Sequence, residues 1–249
     1  MIILKSLQEI EKIRKAGLLV ADVLDGVRGM VRPGVSTQAL DEFAERLILA
    51  AGAKPAFKGY RGYPKTLCTS VNNEVIHGIP SKDVVLKQGD ILSIDVGALV
   101  EGFYGDAAIT VPVGTIAPAA LRLIRATEES LNRGIAQAQL GNRLYDISHA
   151  VQSYVESNGY SVVREFVGHG IGRSLHEDPQ LPNFGERGKG PRLQIGMVLA
   201  IEPMVNAGGS ATVVTEDNWT AVTADGSLSA HFEHTIAVTA DGPWILTKK

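Results

Sequence analysis

The sequence predicts an α+β protein built from two similar halves. In each half, helical periodicity comes first and segments rich in Val, Ile and Thr follow, so one order of elements occurs twice within 249 residues. Nothing between the halves is rich in Pro and Ser or low in complexity, as a flexible linker would be. We therefore predict one domain over residues 1–249, with related halves at approximately 1–115 and 116–249.

The first half opens with two predicted helices. The segment 6–31 begins with a capping-box pattern and continues with apolar residues at helical spacing. Pro33 and Gly34 stop it, and a second amphipathic helix ends near Gly52. Segments rich in β-branched residues then indicate strands at 65–75, 90–100 and 103–113.

The second half repeats this order after Pro118. One helix passes through Leu131 and another covers approximately 143–158. Strand-like segments follow near residues 161, 197, 211, 220 and 231.

Composition and charge exclude several classes of function. Cys68 is the only cysteine, so no intramolecular disulfide can form, and charged residues interrupt the first twenty positions, where a secretory signal would be apolar. No apolar run reaches the roughly 18 residues that span a bilayer. With 20% charged residues and a net charge of -3, the chain offers no basic stripe for nucleic acid. We expect a soluble, cytoplasmic protein that binds neither nucleic acid nor membrane.

Two aspartates interrupt a predicted β-hairpin. Asp95 lies in an apolar strand, and Asp106 begins the next strand after the turn at Glu101 and Gly102. If the hairpin is centred between Val100 and Glu101, the two aspartates are directly opposite, with Cβ atoms about 4.5 to 5.5 Å apart. Carboxylates that close repel unless one is protonated or a cation lies between them. The alternative is a solvent-facing hairpin with two incidental aspartates.

Three histidines have surroundings that favour chemistry. His169 is flanked by Gly168 and Gly170, which leave its imidazole sterically open. His176 follows seven positions later, too far for the i, i+4 zinc-helix pattern, so we expect both to reach one site from a bent loop. His77 precedes a Gly at a strand rim, where it can exchange protons with a substrate. A structural role is the alternative for each, and no phosphate-binding glycine pattern is present.

Two glutamates lie in otherwise apolar strands. Glu202 occurs in GMVLAIEPMV and Glu233 in LSAHFEHTIAV, where burying an unpaired carboxylate is costly. Alternation along the strand places His231 on the face of Glu233 and His234 on the opposite face. The alternative for each glutamate is a strand end that reaches solvent or an Arg.

Four carboxylates and one imidazole thus occupy predicted sheet positions, where packing alone rarely places polar groups. Two divalent cations would balance the four negative charges. Oxygen-rich ligation with a single imidazole suits Mn, Fe or Co and permits Zn. The residues therefore predict a metal-dependent hydrolase whose ligands are Asp95, Asp106, His169, Glu202 and Glu233.

The segments LQEIEKIRKAG, CTSVNNEVIHGIP, SIDVG, GDAAIT, GHGIGR, IEPMV and FEHTIAV, in this order, closely resemble the type I methionine aminopeptidases. The resemblance covers nearly the whole chain. It implies the pita-bread fold, in which helices cover a curved, mostly antiparallel sheet made by two pseudo-symmetric halves. The first helix begins close to Met1, which resembles the short bacterial form without a zinc-finger extension.

The resemblance also implies a reaction: removal of the N-terminal methionine from nascent proteins and peptides, by attack of a hydroxide activated by two metal ions. Asp106 and Glu233 would bridge the ions, and Glu202 would carry a proton to the departing nitrogen. His176 would stabilise the oxyanion, and His77 would hydrogen-bond the peptide nitrogen. The pocket for the methionine side chain would be lined by Tyr60, Tyr63, Cys68, Leu175 and Trp219.

One residue departs from the family pattern. Leu175 stands where the family often has an aromatic residue, which changes the shape expected for the pocket beside His176. The family further implies a monomer. Contact with ribosomes would suit an enzyme of nascent chains, yet no basic patch supports it.

Two other functions fit parts of the pattern. An aminopeptidase P or prolidase shares the metal ligands but resembles a chain with an additional N-terminal domain, and the segment CTSVNNEVIHGIP favours methionine removal. A non-catalytic pita-bread protein that only binds peptides would be expected to have lost ligands, whereas all five positions are intact here.

Overall fold

Four α-helices and fifteen β-strands occur along the chain, and the computed structural model describes all residues from 1 to 249. The helices are α1 (Leu7–Met30), α2 (Thr37–Ala50), α3 (Pro118–Ala136) and α4 (Leu144–Ser157). The first five strands are β1 (Lys54–Pro55), β2 (Leu67–Val71), β3 (Glu74–Ile76), β4 (Ile91–Val100) and β5 (Phe103–Pro112). The remaining strands are β6 (Ser161–Val162), β7 (Val167–Gly170), β8 (Glu177–Pro182), β9 (Val198–Ile201), β10 (Met204–Asn206), β11 (Thr212–Val214), β12 (Ala221–Thr223), β13 (Ser229–His231), β14 (Glu233–Thr239) and β15 (Gly242–Ile245).

A nine-stranded sheet joins strands from both halves of the sequence. Its order is β1-β4-β5-β14-β9-β7-β8, with β2 against β4 and β15 against β14, and every pair is antiparallel. Two small sheets, β13-β10-β6 and β11-β12-β3, lie beside it. The predicted α+β class is thereby confirmed. The single domain with two related halves stays a prediction.

The first two helices begin and end as the sequence predicts. Ser6 caps α1, because its Oγ accepts from the Glu9 N–H at 3.3 Å and the Glu9 carboxylate accepts from the Ser6 N–H at 3.0 Å. Ser36 caps α2 by accepting from the Ala39 N–H at 3.3 Å. Each cap satisfies a backbone donor that has no partner within the helix.

The strand predicted over 65–75 is two strands in the structure. β2 ends at Val71 and β3 begins at Glu74, because Asn72 adopts a φ of 57° and turns the chain. The Glu74 carboxylate accepts from the Val71 N–H at 2.7 Å and stabilises this turn. Propensity alone did not reveal the break, because the residues on both sides favour strands.

The register of the β4–β5 hairpin corrects the predicted pairing of the aspartates. Glu101 and Gly102 form a two-residue turn, with φ values of 50° and 82°, as hairpin turns of the primed types require. The centre therefore lies between these two residues, so Asp95 pairs with Ala108 and Asp106 pairs with Gly97. The prediction that Asp95 and Asp106 are directly opposite was wrong. They are diagonal neighbours on one face, because the shift is an even number of residues.

The helices cover one face of the large sheet in two apolar clusters. In the first, α1 and α2 pack on side chains of β4 that alternate with Asp95: Leu92, Ile94 and Val96. In the second, α3 and α4 pack on β9 and β14 through Leu123, Leu131, Ile147, Val151, Leu199 and Ile236. Because successive residues of a strand point to opposite faces, the other face remains for the polar residues.

Helix α1 approaches the sheet so closely that β5 requires a glycine at the contact. A Cβ added to Gly105 would lie 2.6 Å from the backbone nitrogen of Gly17 and 2.9 Å from the carbonyl carbon of Ala16. Backbone atoms cannot rotate away as a side chain can. Helix and strand must therefore separate if Gly105 gains a side chain.

We expect Gly105→Ala to destabilise the protein by about 1–3 kcal/mol, the usual cost of overpacking a close contact. Gly29→Ala is the control. Gly29 lies in α1, the helix that contacts β5, and a Cβ added there meets nothing within 4 Å. The control should leave stability unchanged or raise it by up to about 1 kcal/mol. Urea unfolding of the metal-free proteins measures both effects, and equal midpoints for the two variants would contradict this packing.

Candidate metal centre and substrate pocket

The sheet register puts three of the predicted ligands on the face opposite the helices. Asp95 pairs with Ala108 of β5, and Ala108 pairs with Glu233 of β14. Residues that pair in an antiparallel sheet point to the same side. Asp106 shares this side because it lies two positions from Ala108 along β5.

The other two predicted ligands reach the same face from the second half of the chain. Ala200 of β9 pairs with His169 of β7 and with Thr235 of β14. Thr235 is two positions from Glu233, and Glu202 is two positions from Ala200. Five residues from five segments thus share one face, although the longest gap between neighbours in sequence exceeds sixty residues.

These side chains converge on one cavity. The nearest ligand atoms of Asp106, His169 and Glu233 all lie within 4.8 Å of one another. His169 Nε2 lies 3.6 Å from Glu202 Oε1, and Asp95 lines the same cavity. His169 Nδ1 lies 2.9 Å from the Gly170 carbonyl oxygen, to which it donates. The unprotonated Nε2 is therefore the nitrogen that faces the carboxylates.

The carboxylates of the cavity repel one another unless they keep protons or bind a cation. Burial raises the pKa of Asp95 to about 7. Burial and the neighbouring carboxylates raise the pKa values of Asp106, Glu202 and Glu233 well above the usual range. The only ion-pair partners of these four groups are imidazoles, His169 and His231, both beside Glu202.

Three oxygen atoms of this cluster also lack any hydrogen-bond partner: Asp95 Oδ1, Asp106 Oδ1 and Glu233 Oε1. Burial and the nearby His176 lower the pKa of His169 to about 3, so its imidazole is neutral. Unpartnered carboxylate oxygens beside a neutral imidazole are the donor set that divalent transition metals bind. The residues therefore fit a divalent metal.

The two histidines predicted outside the ligand set also line this cavity. His176 Nδ1 lies 2.9 Å from the Tyr60 hydroxyl, and its ring centroid is 4.2 Å from that of His169. His77 packs edge-on against Phe166 and Trp219, with centroids 5.7 and 6.2 Å away. Burial lowers the pKa of each of His77 and His176 to about 4, so both rings are neutral near pH 7.

The residues predicted for the side-chain pocket all line this cavity, whose volume is about 150 Å³, and they belong to one cluster of apolar and aromatic side chains. Tyr63 is fixed there, because its hydroxyl donates to the carbonyl oxygen of Leu67 or Gly78 at 2.8 and 3.0 Å and its ring meets Trp219 edge-on. The predicted lining residues are Tyr60, Tyr63, Cys68, Leu175 and Trp219. This part of the lining is largely apolar, as a subsite for one apolar side chain would be.

Several residues of the site have no predicted role in the sequence analysis. Phe57 and Arg61 line the cavity, and Phe166 packs on His77. His231 places Nε2 3.7 Å from Glu202 Oε2. Alternation along the strand indicated which face His231 occupies, but no sequence pattern pairs it with Glu202, which is twenty-nine residues away.

Comparison with known proteins agrees with this geometry. Residues 11–240 match metallopeptidase family M24. The methionine aminopeptidase of Clostridium perfringens is 56% identical over 99% of both chains, and methionine aminopeptidase 1 of Bacillus subtilis is 54% identical over 100% of both. The crystal structure of methionine aminopeptidase from Thermotoga maritima superposes with a TM-score of 0.99 at 51% identity over 100% of both chains.

A helix-covered antiparallel sheet with a carboxylate-rich face defines a metallopeptidase class, and the chain belongs to metallopeptidase family M24. Within that family it groups with the methionine aminopeptidases, to which it is similar along its full length. The prolidase of Pyrococcus horikoshii, 24% identical with a TM-score of 0.81, shares the fold over 64% of its own chain. The predicted family and pita-bread fold are confirmed.

We expect the metal-free protein to lose stability as the pH rises. The raised pKa values mean that the folded state keeps protons that unfolded carboxyls release near pH 4. The stability from these protons is complete below about pH 4 and is lost as the pH rises through about 7, the pKa of Asp95. Mn²⁺ competes with the protons, so the increase in Tm on adding Mn²⁺ should grow from pH 5 to pH 8.

Thermal unfolding with and without Mn²⁺ measures this increase. Asp106→Asn, which removes one ligand charge, should reduce it at every pH. An Mn²⁺ effect of equal size at pH 5 and pH 8 would argue against metal binding by these carboxylates.

Proposed function

We propose that this protein removes the N-terminal methionine from proteins and peptides. The observation that carries the proposal is one cavity lined by four carboxylates and an imidazole, three of which have ligand atoms within 4.8 Å of one another, together with an apolar cluster of side chains. The full-length similarity to methionine aminopeptidases supports the same activity.

Two divalent cations would be held by Asp95, Asp106, His169, Glu202 and Glu233, with Asp106 and Glu233 shared between them. Four carboxylates balance two doubly charged ions, and oxygen-rich ligation fits Co, Mn, Fe or Zn. When bound, the cations supply Lewis-acid chemistry that activates a water and polarises the peptide carbonyl.

Glu202 is the proposed acid and base. Burial and the Asp95 and Asp106 carboxylates raise its pKa well above the usual range, which makes it a stronger base than an exposed carboxylate. It lines the cavity together with His169 and Glu233. From this position it takes a proton from the attacking water and delivers it to the departing peptide nitrogen.

His176 and His77 are proposed to bind the scissile peptide as neutral imidazoles. If the Tyr60 hydroxyl donates to His176 Nδ1, as their 2.9 Å separation allows, the His176 proton lies on Nε2 and is available to a developing oxyanion. His77 would hydrogen-bond the peptide nitrogen from the opposite wall. Neutrality is useful to both, because a charged imidazole would repel the metal ions.

The pocket accounts for the choice of side chain. Its aromatic and apolar lining suits an unbranched, polarizable thioether, and Leu175, which is buried, is smaller than an aromatic ring. We therefore propose that this pocket accepts methionine and that a free α-amino group binds beside the carboxylates, which limits cleavage to chain ends.

We further propose that nascent chains are the substrates, in the cytoplasm, and that the protein acts as a monomer. None of the helices is long and apolar enough to cross a bilayer. The net charge of -3 gives no support to electrostatic binding of ribosomal RNA.

A comparison of two peptides tests the proposed activity. The purified protein, reconstituted with Mn, Fe or Co, should release methionine from Met-Ala-Ser, and should cleave a peptide beginning with Ala-Pro about 100-fold more slowly or worse. Chelation should abolish release. Preference for the Xaa-Pro peptide would favour a prolidase-type enzyme. If Met-Ala-Ser remained uncut with every metal, a peptide-binding protein would be the better description.

We expect His176→Ala to reduce kcat on Met-Ala-Ser by about 10²–10³-fold, the usual effect of losing one oxyanion donor. Metal affinity, measured by calorimetric titration, should stay close to that of the unchanged protein because His176 is outside the ligand set. His149→Ala on α4, far from the cavity in the fold, is the control and should keep both values. Loss of metal from the His176 variant would contradict the assignment.

A further inference from the structure

The Glu202 carboxylate lies between two imidazoles. His169 Nε2 is 3.6 Å from its Oε1, and His231 Nε2 is 3.7 Å from its Oε2. His169 is a proposed metal ligand, whereas His231 has no assigned role. The His231 side chain is only 2% exposed, and its Nε2 has no hydrogen-bond partner. Burying an unpaired imidazole nitrogen is costly, so its position beside Glu202 needs an explanation.

The backbone of His231 is held rigidly at the edge of the site. Thr110 Oγ1 accepts from the His231 N–H at 2.9 Å and donates to its carbonyl oxygen at 2.8 Å. The next residue, Phe232, donates its N–H to the carbonyl oxygen of Pro203 at 3.3 Å. Because Pro203 directly follows Glu202, this bond links the segments that carry the two side chains. The backbone that carries the His231 imidazole is therefore held in a fixed position relative to the segment that carries Glu202.

His231 differs from the ligand set in its surroundings. Glu202 lines the cavity and His231 does not, so the imidazole contacts the carboxylate from outside the cavity. A side chain in this place can orient Glu202 without contacting substrate.

We propose that His231 is a positioning residue that donates a hydrogen bond from Nε2–H to Glu202 Oε2 and holds Oε1 toward His169. A small rotation of either group closes the 3.7 Å separation to hydrogen-bond length, about 2.7–3.2 Å. The bond satisfies both the orphaned imidazole nitrogen and one carboxylate oxygen. The consequence for activity rests on the proposed role of Glu202 as acid and base.

Three substitutions separate a hydrogen bond from simple packing. His231→Gln can place an amide N–H close to the position of Nε2, whereas His231→Asn reaches only as far as Nδ1, and His231→Leu fills space without a donor. We expect the Leu and Asn variants to lose about 10–100-fold in kcat on Met-Ala-Ser, the usual effect of removing an outer partner of a ligand, with KM almost unchanged. The Gln variant should regain most of kcat.

His234→Gln is the matched control. His234 lies three residues further along, bonds Thr247 Oγ1 through Nδ1 at 2.8 Å, and belongs to the opposite face of the sheet from Glu233. Its substitution should leave kcat unchanged. Because Glu202 is also a proposed ligand, calorimetric titration with Mn²⁺ should show weaker binding in the Leu and Asn variants, near-normal binding in the Gln variant and unchanged binding in His234→Gln. A Gln variant that binds Mn²⁺ as weakly as the Leu variant would make His231 itself a metal ligand and overturn the proposal.

A crystal structure of the Mn²⁺-loaded protein tests the hydrogen bond without any assay. His231 Nε2 should lie within about 3.2 Å of Glu202 Oε2, and the Leu variant should show Glu202 in more than one orientation. A longer separation in the unchanged protein, or an Asn variant as active as the Gln variant, would overturn the proposal. If the unchanged protein leaves Met-Ala-Ser uncut but this bond is present, the proposed function fails while the positioning of Glu202 stands.

Discussion

The rest of the structure depends on one electrostatic constraint: four acidic side chains are buried close together. Asp95, Asp106, Glu202 and Glu233 approach one cavity without an ion pair to any Lys or Arg, and three of their oxygens have no hydrogen-bond partner. Without a counter-charge, such a cluster destabilises the folded state unless it keeps protons. We therefore expect divalent metal to stabilise the folded protein at neutral pH, which would couple its fold to its chemistry.

The fold supplies the rigidity that holds these groups in place. Antiparallel pairing across β4, β5, β14, β9 and β7 fixes which side chains share a face, and the helices pack on the opposite face. Close contact between α1 and β5, at Gly17 and Gly105, leaves the sheet little freedom to move relative to the helix. Ligands placed on paired strands are positioned more accurately than ligands placed on loops.

Burial has opposite effects on the two kinds of titratable group in the site. It raises the pKa values of the carboxyls, so they keep protons until a cation replaces them, and it lowers those of His77, His169 and His176, so these imidazoles are neutral. His231 is a further buried imidazole beside Glu202, outside the proposed ligand set. The chemistry we propose uses the neutral imidazoles directly, because they can donate or accept a hydrogen bond, whereas a bound cation must first displace the protons of the carboxyls.

The sequence by itself determined the class of the fold and singled out most of the residues that line the cavity. Helical and strand periodicity depends on local spacing and can be recognised in the sequence. An acidic residue in an apolar strand, such as Glu233, can be recognised too, because burying an unpaired carboxylate is costly. Only the tertiary structure decided the diagonal relation of Asp95 to Asp106, which depends on the φ angles of the Glu101–Gly102 turn, and the break of the strand at Asn72. The tertiary structure alone placed His231 beside Glu202. That contact depends on how β13 and β9 are arranged in space, and the order of residues along the chain does not specify the distance between these strands.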